Sequence, residues 1–437
     1  MIKTLLTLYL LLTPSAVHAW SPLPWSKQME IRDRWLTKRH ATILELMRKH
    51  GVQMWIVVNE EFHDDPLTEL VAPARPYAGN RDFFVFVDAR DKGLRRIAVT
   101  GFAEEAVSRF FESPADPRPA KEALPGIYRM YRPARIALSI GGSRGVTRSL
   151  THESWLFLTE TLGPEASRRI VPASDLIEEY LDTRIPEEME TYRGMVELTE
   201  ELVKRTLSGE AIVPGKTTVG DLRRWMYDAL WEKRVDTWFQ PDIRIQRRGM
   251  TNNSSRGFLA VSPESWVVER GDVLHIDFGI RHMGLNTDWQ KMAYVLRPGE
   301  TDAPAGLKRA LANTMALQDA LVAHSRPGKT AGDVYNETMA QMTRQGIEAK
   351  IYSHPLGNQG HALGASIDYR SAQRKETMPS SRRLRKGSYI AIELNTLTPV
   401  PEWDGQKLFV MEEDPAHLTD EGWKFFVPRQ EAFYLIP

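Results

Sequence analysis

The sequence predicts two domains after a leader at residues 1–19: an α/β domain at 20–182 and an α+β domain at 183–437. Three observations carry this. A chain of 437 residues exceeds what one hydrophobic core usually serves. Its first part alternates short apolar strands with amphipathic helices, the pattern of an α/β layer. Its second part spaces acid-bearing apolar strands between pairs of helices.

Composition sets the broad class. Apolar residues make up 42% of the chain, with 12 tryptophans, which is a globular content. Lysine and arginine number 57, as do aspartate and glutamate, so the charge balance supports neither a nucleic-acid nor an anionic-membrane partner. Met1–Ala19 reads as a secretory signal: Lys3 gives the positive start, Leu5–Leu12 the apolar stretch, and Val17-His18-Ala19 a small-residue cleavage site before Trp20. The apolar run is too short to span a bilayer and is followed by Pro14, so a periplasmic or secreted protein without a lasting membrane anchor is expected. Cysteine is absent, which excludes thiolate metal sites of the zinc-finger type.

In the first domain, Gln28–Lys49 is an expected amphipathic helix, with Ile31, Trp35, Ile43, Leu46 and Met47 apolar and Gly51 as a stop. Strands are expected at Met54–Val58, Phe83–Val87, Arg96–Thr100 and Arg135–Ser139, and helices at Ala103–Phe111 and His152–Thr159. The proline- and charge-rich Ser113–Leu124 reads as a surface loop, and His63, Asp64 and Asp65 as a small polar cluster on another. The second domain begins near Thr183. Pro186 opens a helix running to about Leu207, with Glu187 and Glu188 at its positive end. A second helix is expected at Thr218–Lys233, then a strand at Ile243–Gln246 and a polar loop at Arg247–Arg256. Helices at Ala305–His324 and Gly332–Arg344 follow further on.

The chemistry concentrates in Val273–Val295. Asp277 and Asp288 stand eleven residues apart, each in an alternating run, with Gly279 and Gly284 bracketing the connection of an antiparallel hairpin. Two acids on apolar strands are costly to bury unless a cation lies between them. Downstream, Ser353–His361 carries two histidines in a glycine-rich turn, Ile390–Leu394 holds Glu393 within an apolar strand, and Phe409–Asp414 ends in Glu412 and Glu413. Two aspartates, a histidine and two glutamates form a hard donor set suited to two divalent ions bridged by carboxylates.

On these residues the C-terminal part resembles, over about 250 residues, the catalytic domain of the creatinase/aminopeptidase P/prolidase/methionine aminopeptidase superfamily. These are the pita-bread metallopeptidases, and within them the two-domain Xaa-Pro peptidase branch is the match. The first domain is similar in order and length to the creatinase-like N-terminal domain of that branch. The resemblance implies metal ligands at Asp277, Asp288, His354, Glu393 and Glu413. Glu413 is preferred to Glu412 because it lies nine residues before Gly422 with Leu418-Thr419 between, as the family has it, and shares a face with Met411 and Phe409. Glu412 is then a charged strand end. Two histidine registers fit the family pattern. In the first, His354 is the ligand, Gly357 follows three later and His361 hydrogen-bonds the reaction intermediate; in the second, His361 is the ligand and Asp368 the partner.

The function so implied is a secreted or periplasmic two-metal hydrolase, a metalloaminopeptidase or dipeptidase acting on Xaa-Pro peptides through a metal-bridging hydroxide. Catalysis would fall to Glu393, as proton acceptor, and His361. Manganese suits the carboxylate-rich set, with zinc, cobalt or iron(II) as alternatives. A homodimer or larger oligomer is also implied. Two other readings stay open, a same-fold enzyme acting on a small non-peptide substrate and a non-catalytic binding protein. Three departures from the family bear on these. A further histidine of the peptidases falls where Leu259-Ala260 stands, an arginine two before the last glutamate is Met411, and a glutamate after the second histidine is Ala362.

Overall fold

The computed structural model describes residues 20–74, 80–113, 118–250, 259–368 and 381–437. The expected leader at Met1–Ala19 lies outside the described residues, as do residues 114–117 and 251–256 of the two expected loops.

Helix α1 (Trp25–Lys49) buries Trp35, Leu36, Ile43, Leu46 and Met47, and ends on Arg48 and Lys49 before Gly51 at φ 64°. Strand β1 (Met54–Glu60), the short helix α2 (Thr68–Val71), β2 (Arg81–Asp88) and β3 (Leu94–Val99) follow. Then come α3 (Glu105–Ser108), α4 (Ala120–Tyr131), β4 (Ile136–Leu138), α5 (His152–Ser167), β5 (Ile170–Pro172) and α6 (Ser174–Asp182). The strands form one sheet in the order β3-β2-β1-β4-β5, antiparallel on the β3 side and parallel from β1 to β5.

Three expectations here are corrected. The helix at Ala103–Phe111 is confined to α3. The loop expected through Leu124 gives way to α4 at Ala120, which carries Pro125 inside it and buries Leu124 and Tyr128. Helix α5 continues past Thr159 to Ser167, across a break where Gly163 takes φ 80° ahead of Pro164. In the polar cluster His63 and Asp64 are exposed, as a solvated loop requires, and only Asp65 departs from that reading. Asp65 is buried, accepts from Ser149 Oγ at 2.5 Å and from the Leu67 amide at 2.8 Å, and so fixes the entry to α2.

In the second part, Pro186–Glu188 makes one 3₁₀ turn before α7 (Met189–Thr206). Helix α8 (Val219–Lys233) opens on a reciprocal cap, Thr218 Oγ1 accepting from the Asp221 amide and Asp221 from that of Thr218. Next are β6 (Asp236–Thr237), β7 (Asp242–Gln246), β8 (Val273–Phe278), β9 (Ile280–His282), β10 (Leu285–Asn286) and β11 (Trp289–Val295). The chain closes with α9 (Ala305–His324), α10 (Ala331–Gln345), β12 (Glu348–Leu356), β13 (Ile367–Asp368), β14 (Tyr389–Pro399), β15 (Lys407–Thr419), β16 (Gly422–Phe425) and β17 (Tyr434–Ile436). Among the described residues the main sheet runs β13-β12-β14-β15-β11-β8-β7, with β16 on β15 and β17 on β11.

The aspartate hairpin is therefore more elaborate than a short turn. Strands β8 and β11 do pair antiparallel, but their connection folds into a second hairpin, β9–β10. Met283 and Gly284 at its tip take φ 52° and 73°, the left-handed turn that matches strand twist. At this tip Met283 lines a small cavity with Arg32, Trp35 and Leu36 of the first domain. None of the described helices is long and apolar enough to cross a membrane.

Candidate metal centre

Strand register assembles the site. Asp277 on β8 pairs with Gln290 on β11, Gln290 with Glu413 on β15, and Glu413 with Glu393 on β14. Residues paired across strands project to the same side of a sheet, so these four form a row on one face. Asp288 stands two before Gln290 on β11's approach, and His354 pairs with Ala391, two before Glu393. The even offsets bring both onto that face.

The row closes on itself. His354 Nε2 lies 3.6 Å from Asp288 Oδ2, 3.5 Å from Glu393 Oε2 and 3.3 Å from Glu413 Oε1. Three groups of ligand atoms lie within 4.8 Å of one another: Asp277, Asp288 and Glu413; His354, Glu393 and Glu413; and Asp288, His354 and His361. Asp288, His354 and Glu413 are buried, whereas His361 is exposed at the rim, its ring centroid 4.6 Å from that of His354. All five expected ligands and the expected catalytic histidine are thus brought together. Asp368 lies on β13, pairing with Tyr352 on β12, and belongs to none of these groups.

Four carboxylates share this space. Burial, then repulsion from Glu413, pushes Asp277, Asp288 and Glu393 well above the usual carboxylate range. Burial takes Glu413 to about 8, although Gln290 and Lys291 pull it down. Asp277 Oδ1 and Asp288 Oδ1 are buried and accept no hydrogen bond. Unsatisfied buried acids converging on one point are the signature of a cation site.

Three corrections concern local setting. His354, expected in the glycine-rich turn, sits within β12, which runs to Leu356. Glu413 is mid-strand in β15. Glu412 is no charged strand end: it is buried on the opposite face, where Lys291 Nζ donates to it at 3.1 Å and to Asp414 at 2.7 Å. Burial works against that ammonium, yet Asp414 and Glu412 hold its pKa above the ordinary value. Lys291 also donates to the Glu413 carbonyl at 3.1 Å, so it fixes the backbone that carries a site residue.

Several residues around the centre carry no sequence signal. Gln290 Nε2 donates to Glu393 Oε1 at 2.5 Å and Glu413 Oε2 at 3.0 Å, while His275 Nε2 lies 2.9 Å from Gln290 Oε1. Trp238 donates to the Thr287 carbonyl at 2.8 Å and packs edge-on to His361 at 5.4 Å. A Cβ on Gly360 would lie 2.0 Å from that indole, so glycine is required for the histidine turn to approach it. Arg184, stacked 4.9 Å over Tyr389, donates to Asn358 in the same turn. Arg244 pairs with Asp242 beside Asp277 and donates to the Leu259 carbonyl at 2.6 Å. It thereby anchors the segment where the peptidases carry their further histidine; Leu259 itself turns into the apolar core.

The family model for metallopeptidase family M24 matches residues 190–420, more than half of the chain, and the protein belongs to that family of metal-dependent hydrolases. Solved structures are similar over nearly the whole length, two-domain architecture included. The X-Pro aminopeptidase of Thermotoga maritima MSB8 is 14% identical, with 90% of this chain and 99% of that one covered and a TM-score of 0.66. An Xaa-Pro dipeptidase from Bacillus anthracis is 16% identical, with 92% and 100% covered and a TM-score of 0.63. The N-terminal domain of the FACT complex subunit SPT16 from chickpea, Cicer arietinum, is 11% identical, with 93% and 99% covered and a TM-score of 0.62. No curated relative matches the chain.

Proposed function

We propose that the protein is a two-metal Xaa-Pro peptidase. The observation that carries this reading is the double membership of Glu413, which belongs both to the Asp277/Asp288 group and to the His354/Glu393 group. Two ligand sets sharing one carboxylate suit two adjacent divalent ions. Asp277, Asp288 and Glu413 would hold one ion, and His354, Glu393 and Glu413 the other. The donors fit: they are hard oxygens with one imidazole, buried at Asp288, His354 and Glu413 and half-buried at Asp277 and Glu393, and a carboxylate-rich set of this kind favours manganese.

Divalent ions held by Asp277, Asp288, His354, Glu393 and Glu413 would supply Lewis-acid polarisation of a carbonyl and would lower the pKa of bound water. Glu393, whose carboxylate lies in the group with His354 and Glu413, would take up the proton released from attacking water. His361, at the open rim and braced by Trp238, donates a hydrogen bond to the substrate oxygen as negative charge develops there. Proline specificity is supported by the activities of the X-Pro and Xaa-Pro enzymes that share the fold. Export is supported by the charged start and apolar stretch of Met1–Ala19. Division at 182/183 is supported by the separate sheets on either side, and homodimerisation by the family resemblance alone.

Purified protein with manganese should hydrolyse Xaa-Pro di- or oligopeptides, lose activity to a chelator and regain it on readdition of metal. Metal-saturated protein inert on every Xaa-Pro peptide but active on a non-proline dipeptide would move the substrate class.

A further inference from the structure

We infer that His275 is a positioning residue for the centre, acting through Gln290 to set the rotation of two glutamate carboxylates. This rests on the reading of Glu393 and Glu413 as metal ligands. Gln290 has two N–H donors and one acceptor oxygen. Its Nε2 faces Glu393 Oε1 at 2.5 Å and Glu413 Oε2 at 3.0 Å, and both carboxylate oxygens accept. The amide oxygen therefore points away, toward His275 Nε2 at 2.9 Å. An amide oxygen accepts only, so the proton of that bond belongs to His275 Nε2. His275 is fully buried, and its Nδ1 has no hydrogen-bond partner, so the ring serves this one contact.

The consequence lies at the other two oxygens. With Glu393 Oε1 and Glu413 Oε2 held by the amide, Glu393 Oε2 and Glu413 Oε1 are the ones turned toward His354 Nε2, at 3.5 and 3.3 Å. A flipped amide would set its oxygen against both carboxylates and repel them. The register makes the arrangement rigid, since Gln290 pairs with Asp277 and Glu413 while His275 pairs with Met292 two residues along β8 and β11, on the same face. Partners that orient metal ligands typically change metal affinity 10–100-fold when removed.

The test is titration of the chelator-treated full chain with Mn²⁺ by calorimetry, alongside the visible absorption spectrum with Co²⁺. His275→Leu should bind Mn²⁺ at least about tenfold more weakly and alter the Co²⁺ spectrum. His275→Gln, which keeps an N–H donor, should recover part of the affinity. The double variant His275→Leu/Gln290→Met should bind no more weakly than Gln290→Met alone, because both act through one contact. Wild-type affinity in His275→Leu, or additive losses in the double variant, would overturn the inference while leaving the metal centre standing. Absence of metal binding by the unsubstituted chain would overturn both. Should His275→Leu fail to fold, Gln290→Met decides: weakened binding supports the relay, and unchanged affinity overturns it.

Discussion

Glu413 is the residue on which the centre turns. It is grouped with both aspartates and with both His354 and Glu393, so removing it should cost more metal than removing any peripheral donor. Glu413→Gln is expected to lose both ions, His354→Ala one of them, and His361→Ala neither, with His361→Ala losing turnover by about 10²–10³. Metal content and kcat measured on the three variants check this. Depletion in His361→Ala with full occupancy in His354→Ala would exchange the two histidines' roles. His40 gives a residue-level prediction far from the site. Its Nε2 donates to the Val71 carbonyl at 2.8 Å and its Nδ1 accepts from Arg96 at 3.0 Å, so the ring is neutral. Burial lowers its pKa to about 4. The unfolded chain takes up this proton near pH 6.5. The contribution is thus full above pH 6.5 and is lost as pH falls toward 4, on the order of 3 kcal/mol. Imidazole NMR at pH 5.5 should find His40 neutral; a protonated ring would contradict this.

Strands β11 and β15 carry different chemistry on their two faces. Gln290 and Glu413 face the metal centre, while Lys291, Glu412 and Asp414 form a buried charge cluster behind it, extended by Gln318 donating to Asp414 at 2.8 Å. Lys291→Met would leave two buried carboxylates without their cation, and a loss of about 3–5 kcal/mol is expected in denaturant unfolding. A loss below 1 kcal/mol would show the cluster to be dispensable. The histidine turn has its own brace in Arg184 and Asn358. Arg184→Leu should keep its metal and lower kcat about 10–100-fold by loosening His361; unchanged kcat would remove that role. Element by element, these features differ in how far sequence exposes them. The two aspartates and Glu393 are legible because period-two apolar runs fix their face, whereas the glycine-rich stretch marks the histidines but leaves two registers open and hides that His354 lies inside β12. Gln290 is not legible, since an amide on a strand has no pattern of its own and gains meaning only from register with Glu413. Glu412 looks like a surface charge until Lys291 is seen opposite it. Helix α4 is hidden by Pro125-Gly126, which local propensity reads as a break and which burial of Leu124 and Tyr128 overrides.

At the scale of the whole molecule, the first domain reaches the centre through the β9–β10 tip against α1 and through a buried chain from Arg39 to Glu188, with Glu188 3.5 Å from Arg184. The fold alone does not define the reaction, because a FACT complex subunit and two proline peptidases share it at 11–16% identity. What separates the readings is the intact donor set. The most direct measurement is therefore elemental analysis of the chain after reconstitution with excess manganese and removal of free ion. Two ions per chain, falling to none in Glu413→Gln, is the result expected of paired sites built around one shared carboxylate. An unsubstituted chain that retains no divalent ion under those conditions would contradict the account.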